Sequence, residues 1–171
     1  TIVYSSIEKL RTDLPEVNPT CMASALRQFE VMLGMLPKRI EKELKHSNKL
    51  RRWLVPFAMR MGAKNYSSSL LDRLEAMVTN PVLRPVRRGV KAKVMPRMRF
   101  FVSGGAPLEP KVGAFIQGSL EIPVYQGWGM TELAGAGTCN TPDCNVLGSC
   151  GKPLPGAEIK LEALNEDLRE G

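Results

Sequence analysis

The stretch Arg99-Phe100-Phe101-Val102-Ser103-Gly104-Gly105-Ala106-Pro107-Leu108 runs a strand-forming segment straight into a turn built from glycine and proline. A helix is predicted next, over Pro110–Leu120, and then a second strand over Ile122–Gln126. Two strands joined through one helix pair in parallel by a right-handed crossover, so this segment decides for an α/β sheet. The same pattern opens the chain. Thr1-Ile2-Val3-Tyr4 reads as a strand, and Ser5-Ser6-Ile7-Glu8 matches the Ser-x-x-Glu capping box of a helix carrying Ile7, Leu10 and Leu14. Pro15 should end or kink that helix, and Thr20-Cys21-Met22-Ala23 reads as a second, buried strand.

Between the two units lies a helical region. Ala25–Leu36, Lys38–Leu44 and Leu50–Gly62 are candidate helices, and Ser67-Ser68-Ser69 caps a fourth with Leu70, Leu71, Leu74 and Met77 on one face. Pro85 and Gly89 predict an irregular connector over Pro81–Lys93. Beyond Met130 the chain turns rich in Gly, Thr and Cys, and Ala157–Leu161 reads as a last strand. No internal repeat and no low-complexity tract is present.

The 171 residues are 43% hydrophobic and 24% charged, which excludes a disordered, collagenous or disulfide-dense chain. No run of about 18 apolar residues occurs. Both ends read as cut, so the chain is expected to be an excerpt of a larger protein. The net charge of +7 is uneven: Pro37–Phe100 holds 17 Lys/Arg against 4 Asp/Glu, whereas residues 101–171 hold 4 against 9. A basic segment of this kind, bounded at residues 37–97, fits a solvated helical face, an anionic membrane surface or nucleic acid. Its few aromatics, Trp53, Phe57, Tyr66 and Phe100, do not interleave with the charge as base stacking requires, so no nucleic-acid partner is expected. Cys21, Cys139, Cys144 and Cys150 lack paired metal-ligand spacing and read as reduced thiols of an intracellular protein.

Three segments carry chemistry. Ser103–Leu108 sits at the C-terminal end of a strand, where open α/β sheets bind ligands, and its paired glycines let backbone amides approach one. By itself the segment reads more readily as a ligand-free βα turn. Tyr125-Gln126-Gly127-Trp128-Gly129-Met130-Thr131-Glu132 combines an aromatic plate, a hydroxyl and a hard carboxylate oxygen, which together suit a nucleotide and Mg²⁺. A core Trp beside a surface Glu is the alternative. Gly148-Ser149-Cys150-Gly151-Lys152-Pro153-Leu154-Pro155-Gly156 reads foremost as a structural turn.

In this order and spacing the three segments resemble the adenylate-forming superfamily of acyl-CoA synthetases, firefly luciferase and peptide-synthetase adenylation domains. The middle region, from Leu50-Arg51-Arg52-Trp53-Leu54 through Leu70-Leu71-Asp72-Arg73-Leu74, is most similar to the long-chain fatty-acyl-CoA synthetase branch. Asp13-Leu14-x-Glu16-Val17-x-Pro19-Thr20 and Ala25-Leu26-Arg27-Gln28-Phe29-Glu30 extend the likeness to the start, with Leu26 where the family has proline.

The resemblance implies a partial parallel sheet with flanking helices from the large N-terminal domain of an adenylate-forming enzyme, with a basic helical insertion. Residues 1–171 would be the central part of that AMP-binding domain. The implied reaction is ATP-dependent activation of a fatty acid to acyl-adenylate and then, with CoA, to acyl-CoA. By position, Gly104, Gly105, Ala106 and Pro107 would line the adenine and Trp128 would stack on it. Gln126, Gly127, Gly129 and Thr131 would complete the nucleotide-binding set, the two glycines also bordering the acyl channel. Thr131 would contact the α-phosphate and Glu132 would hold Mg²⁺, making these two the catalytic candidates. The family's phosphate loop, ribose aspartate and catalytic lysine have no counterpart among these residues, so the fragment alone is expected to be inactive. A medium-chain or aryl acid as substrate, or a non-catalytic membrane-docking module, is the alternative. The expected location is cytoplasmic or peripheral on an organelle membrane.

Overall fold

Three short strands, β1 (Cys21–Ser24), β2 (Phe100–Ser103) and β3 (Val124–Met130), lie side by side and parallel, with Ala23 opposite Val102 and Val102 opposite Tyr125. A computed structural model describes residue 6, residues 8–67 and residues 69–161. The strand expected at Thr1–Tyr4 lies outside the described residues. Two antiparallel strands extend the sheet beyond β3: β4 (Gly135–Cys139) pairs with β3, and β5 (Lys152–Pro153) pairs with β4. The spatial order is β1-β2-β3-β4-β5. The expected α/β class with a partly parallel sheet is therefore what the chain adopts.

Five helices flank it: α1 (Leu10–Val17), α2 (Leu26–Leu44), α3 (Lys49–Lys64), α4 (Leu70–Val94) and α5 (Pro110–Leu120). The expected basic region, residues 37–97, runs from the second half of α2 through α4. Several expectations fail on proline. Pro15 lies inside α1 two residues before its end, as expected of a proline that ends or kinks a helix, but Pro37 joins the two helices expected over residues 25–44 into one, and Pro81 and Pro85 lie inside α4 where a connector was expected. Proline costs about 3 kcal/mol in a helix interior. Leu83, Val90 and Val94, buried on both sides of Pro85, outweigh that cost by packing α4 against its neighbours.

The leucine face of α4 also differs from expectation. Leu70, Leu71, Leu74 and Met77 share a face, but that face is exposed, and α4 buries Ala76, Leu83, Arg87, Val90 and Val94 instead. β1 is the outermost strand among the described residues, with Cys21 and Ala23 exposed where a buried strand is expected. Ala157–Leu161 forms no strand; Lys152–Pro153, inside the third motif, supplies the pairing. At the other end, α1 begins at Leu10, with the Lys9 amide donating to Ser6 Oγ at 3.3 Å, while Ser5 and Ile7 lie outside the described residues.

The main core gathers Phe29, Met32 and Leu36 of α2, Phe101 of β2, Ile116 and Leu120 of α5, and Val124 of β3. Phe29 and Phe101 meet edge to face, with ring centroids 5.6 Å apart. A satellite cluster of Ala58, Met61 and Leu83 joins α3 to α4. Across the loop between those helices, Lys64 Nζ reaches Asp72 at 3.1 Å and Glu75 at 2.6 Å, which holds the Lys64 ammonium above its ordinary range.

α3 crosses α5 at the closest contact of the helical layer. A Cβ at Gly118 would collide with the Gly62 carbonyl, and one at Gly62 with the Gly118 carbonyl. Ser119 Oγ donates to the Met59 carbonyl at 3.0 Å beside this crossing. Gly118→Ala therefore sets a side chain against backbone that cannot yield. We expect it to cost roughly 2–4 kcal/mol, a melting temperature lower by about 5–15 °C. A thermal melt within about 2 °C of the unaltered protein would show that the helices are not in backbone contact.

Candidate functional site

The C-terminal ends of the parallel strands bring the first two motifs together. Ser103, the last residue of β2, is in register with Gln126 of β3, and the Gly104 amide donates to the Ser24 carbonyl of β1 at 3.4 Å. A Cβ on Gly104 would stand 3.8 Å from the Gly127 carbonyl oxygen, so the two loops are neighbours. Gly105 takes a left-handed φ of +81°, which a side chain would disfavour. Leu108 is buried and anchors the loop, leaving Gly105, Ala106 and Pro107 exposed on the rim just before Pro110 starts α5.

The second motif is not the free sharp turn that its glycines suggest. Residues 124–130 form one strand, and β4 folds back along it through a 3₁₀ turn, Thr131–Leu133, with Ala134 in the left-handed region. A Cβ on Gly129 would collide with the Gly135 carbonyl, and one on Gly127 would lie 2.9 Å from the Thr138 carbonyl oxygen. Both glycines thus serve the close approach of β4.

The register breaks between Trp128 and Gly129, where Gly137 is an extra residue in β4. A Cβ on Gly137 would lie 3.1 Å from the Trp128 ring and 2.9 Å from Leu133 Cδ1. The bulge therefore brings the indole and the 3₁₀ turn over one spot. Trp128 is 45% exposed there, so it is not a core Trp. Thr131 and Glu132 are exposed in that turn, and the Glu132 carboxylate joins no ion pair among the described residues.

Side chains alternate along strands and cross-strand partners share a face. Ser103, Gln126, Trp128 and Thr138 therefore lie on one face. Ser103 Oγ, Gln126 Nε2 and Thr138 Oγ1 are buried and have no hydrogen-bond partner among the described residues. Unsatisfied buried polar atoms are costly, and three on one face beside a half-exposed indole could be satisfied by a polar ligand. Of these, Ser103 and Thr138 were not among the candidate ligand residues read from the sequence. Their signal was the register, which places them beside Gln126 and Trp128.

The third motif braces the second. Asn140 is buried and donates from Nδ2 to the carbonyls of Val146 (3.3 Å) and Ser149 (2.8 Å), and the Leu154 amide donates to the Gly137 carbonyl at 2.9 Å. This supports the structural-turn reading of residues 148–156. Among the described residues no group of three His, Cys, Asp or Glu side chains surrounds a common point. A hard divalent ion, however, takes one or two carboxylates together with phosphate oxygens and waters. Glu132, exposed and unpaired one residue from the Thr131 hydroxyl, fits that role with a nucleotide present. Burial pushes the Cys139 thiol above its ordinary range, so it stays protonated near neutral pH.

Comparison with known proteins agrees with this geometry. The model of the AMP-binding enzyme family matches residues 1–170. Long chain acyl-CoA synthetase 1 of Arabidopsis thaliana is 31% identical over 169 residues, covering 95% of this chain and 24% of that protein. Fatty acyl-CoA synthetase A of Dictyostelium discoideum is 30% identical, covering 91% and 22%. The human long-chain-fatty-acid–CoA ligase 6 is 29% identical, covering 94% and 21%. The chain thus spans about a quarter of the length of these relatives. Among solved structures, an anthranilate CoA ligase in complex with anthranoyl-AMP superposes with a TM-score of 0.52 at 14% identity, covering 94% of this chain and 21% of that one. With strand order, motif order and the full-length family match in agreement, the chain belongs to the AMP-binding enzyme family.

Proposed function

We propose that the chain is the central part of an AMP-binding domain and forms the adenine and Mg²⁺ wall of a fatty-acid–CoA ligase. The protein would convert a long-chain fatty acid, with ATP, to acyl-adenylate and pyrophosphate, after which the CoA thiol displaces AMP. The observation that carries this is the shared face of Ser103, Gln126, Trp128 and Thr138, with three unpartnered polar atoms beside an exposed indole. The long-chain preference rests on the relatives' names and on the middle region they match. We place the protein inside the cell, in the cytoplasm or peripheral on an organelle membrane.

In this reading Trp128 stacks on the adenine, Gly104, Gly105, Ala106 and Pro107 close its edge, and Gln126 donates from Nε2 to a ring acceptor. Thr131 donates its hydroxyl to the α-phosphate. Glu132 supplies a carboxylate oxygen for Mg²⁺ beside the same phosphate. Mg²⁺, when bound, contributes positive charge where negative charge gathers as the carboxylate attacks phosphorus. Preorganised donors aimed at that charge lower the barrier without reorganising during the step.

A second reading adds a surface contact. On α4, Leu70, Leu71, Leu74, Met77, Val78 and Val82 form one exposed apolar stripe, and Leu50 and Trp53 are exposed on α3. These helices belong to the segment with 17 basic and 4 acidic residues. An apolar stripe among cations suits an anionic lipid surface, where each nearby cation contributes about 1 kcal/mol.

Three measurements on the full-length protein test these readings. Glu132→Gln should slow pyrophosphate release with palmitate by about 10²–10³-fold while ATP binding changes little, and an unchanged rate removes Glu132 from the site. Trp128→Ala should raise the KM for ATP by roughly 5- to 150-fold, the equivalent of about 1–3 kcal/mol of stacking, with Trp128→Tyr close to unaltered. A lower melting temperature with normal ATP affinity would make the indole a packing residue instead. For the membrane contact, Leu71→Glu with Met77→Glu should cut cosedimentation with phosphatidylserine vesicles by at least about tenfold, and full binding by that variant would sink it.

A further inference from the structure

A cavity of about 630 Å³ lies away from the motifs. It lies among the C-terminal end of α3, the second half of α4, the C-terminal end of α5 and the start of β3. The volume is in the range of small-molecule sites. The cavity touches β3 at Tyr125 and the residue before the strand at Pro123. Tyr125 precedes Trp128 by three residues, about 10 Å along a strand, and the two side chains leave opposite faces. The cavity and the nucleotide wall are therefore separate places.

Its lining is strongly cationic. Arg84, Arg87, Arg88 and Lys91 face a single carboxylate, Glu121. Glu121 ends α5 in the left-handed region (φ +53°) and serves three guanidinium groups with two oxygens. Arg84 Nε and Arg88 Nε both reach Oε2, at 3.0 and 3.2 Å, and Arg87 Nη2 reaches Oε1 at 3.2 Å. Arg84 and Arg88 thus spend only Nε, and their terminal nitrogens make no hydrogen bond among the described residues. Lys91 joins no ion pair there.

Arg87 is the decisive residue. It is 3% exposed, donates to Asn80 Oδ1 at 2.8 Å and to the Ala58 carbonyl at 3.4 Å, and still leaves Nε–H buried without a partner. Asn145, on the opposite wall, leaves a buried Oδ1 unpartnered while its Nδ2 donates to Gln117. If the arginines served only to cap Glu121, one would suffice. Four cations to one anion leave an excess of three positive charges around a space too large for an inorganic ion alone.

The geometry points to a second ligand site in this cavity, taking a small phosphate-bearing molecule whose phosphates bind the free guanidinium forks of Arg84 and Arg88 together with Lys91. Guanidinium forks bind phosphate oxygens in pairs, and Lys adds a point charge. Tyr66 and Tyr125 wall the remaining volume. Burial pushes the Tyr66 hydroxyl above its ordinary range, so it stays a hydrogen-bond donor. The site does not depend on the proposed ligase activity.

Calorimetric titration of the full-length protein tests this, with pyrophosphate, ADP and 3′,5′-bisphosphoadenosine as probes. The last two separate a 5′-diphosphate nucleotide from the head of CoA as the source of the phosphates. Arg88→Ala with Lys91→Ala removes two side chains that belong to neither hydrophobic cluster, so the melting temperature should stay within about 2 °C. At least one probe should bind about tenfold more weakly to that variant, and the probe losing most identifies the source. Trp128→Ala with Glu132→Gln should leave this component of binding intact. The proposal is overturned if all three probes bind the Arg88/Lys91 variant as tightly as the unaltered protein. It is equally overturned if the Trp128/Glu132 variant abolishes all binding.

Discussion

Backbone contact between α3 and α5 at Gly62 and Gly118 is the constraint on which the rest of this structure depends. With no side chains between them, the helices approach closely enough for Ser119 to bond the Met59 carbonyl. The same crossing brings Arg87 of α4 against Gly62 and within reach of Glu121. One turn earlier on α5, Gln117 Oε1 accepts from the Val124 amide at 2.9 Å and from Asn145 at 2.7 Å. The start of β3 and the loop behind β4 are thus both tied to α5. A shift at the crossing would pass through Gln117 to the strand that carries Trp128.

What the sequence made legible was the chemistry at strand ends. The Arg99–Leu108 segment and residues 122–132 were placed at the C-terminal ends of parallel strands because glycine, proline and β-forming residues act locally. Less legible was anything decided by packing. Pro81 and Pro85 signal a break locally, yet Leu83, Val90 and Val94 hold one 25-residue helix through them. Leu70, Leu71, Leu74 and Met77 have the periodicity of a buried face, and periodicity reports which residues share a face without reporting whether anything covers it.

The glycines of the second motif show the same limit from another side. A glycine on either side of an aromatic residue leaves room beside its backbone, and the sequence alone does not say what fills that room. Gly127 and Gly129 give that room to β4, and the freedom of Trp128 comes from Gly137, which no motif contains. The bulge moves the indole out of the core while keeping it over the Thr131–Leu133 turn. Ligand-facing geometry here is a product of strand pairing, which single residues do not reveal.

Charge follows the layers of the fold more closely than it follows the chain. The basic segment is not one uniform solvated face: Lys64 is held by Asp72 and Glu75, and Lys93 lies 3.6 Å from Glu43, so part of the charge is spent within the helical layer. What remains gathers around Glu121, whose left-handed conformation turns the chain from α5 toward β3. A residue with a side chain there pays a small conformational penalty, and three arginines offset it. Arg87 is buried and meets the half-buried Glu121 where solvent is scarce, whereas Arg84 and Arg88 are exposed and reach the same carboxylate from the solvent side. The fold therefore sets one buried and two solvent-facing arginines on the single carboxylate that leads from α5 into β3.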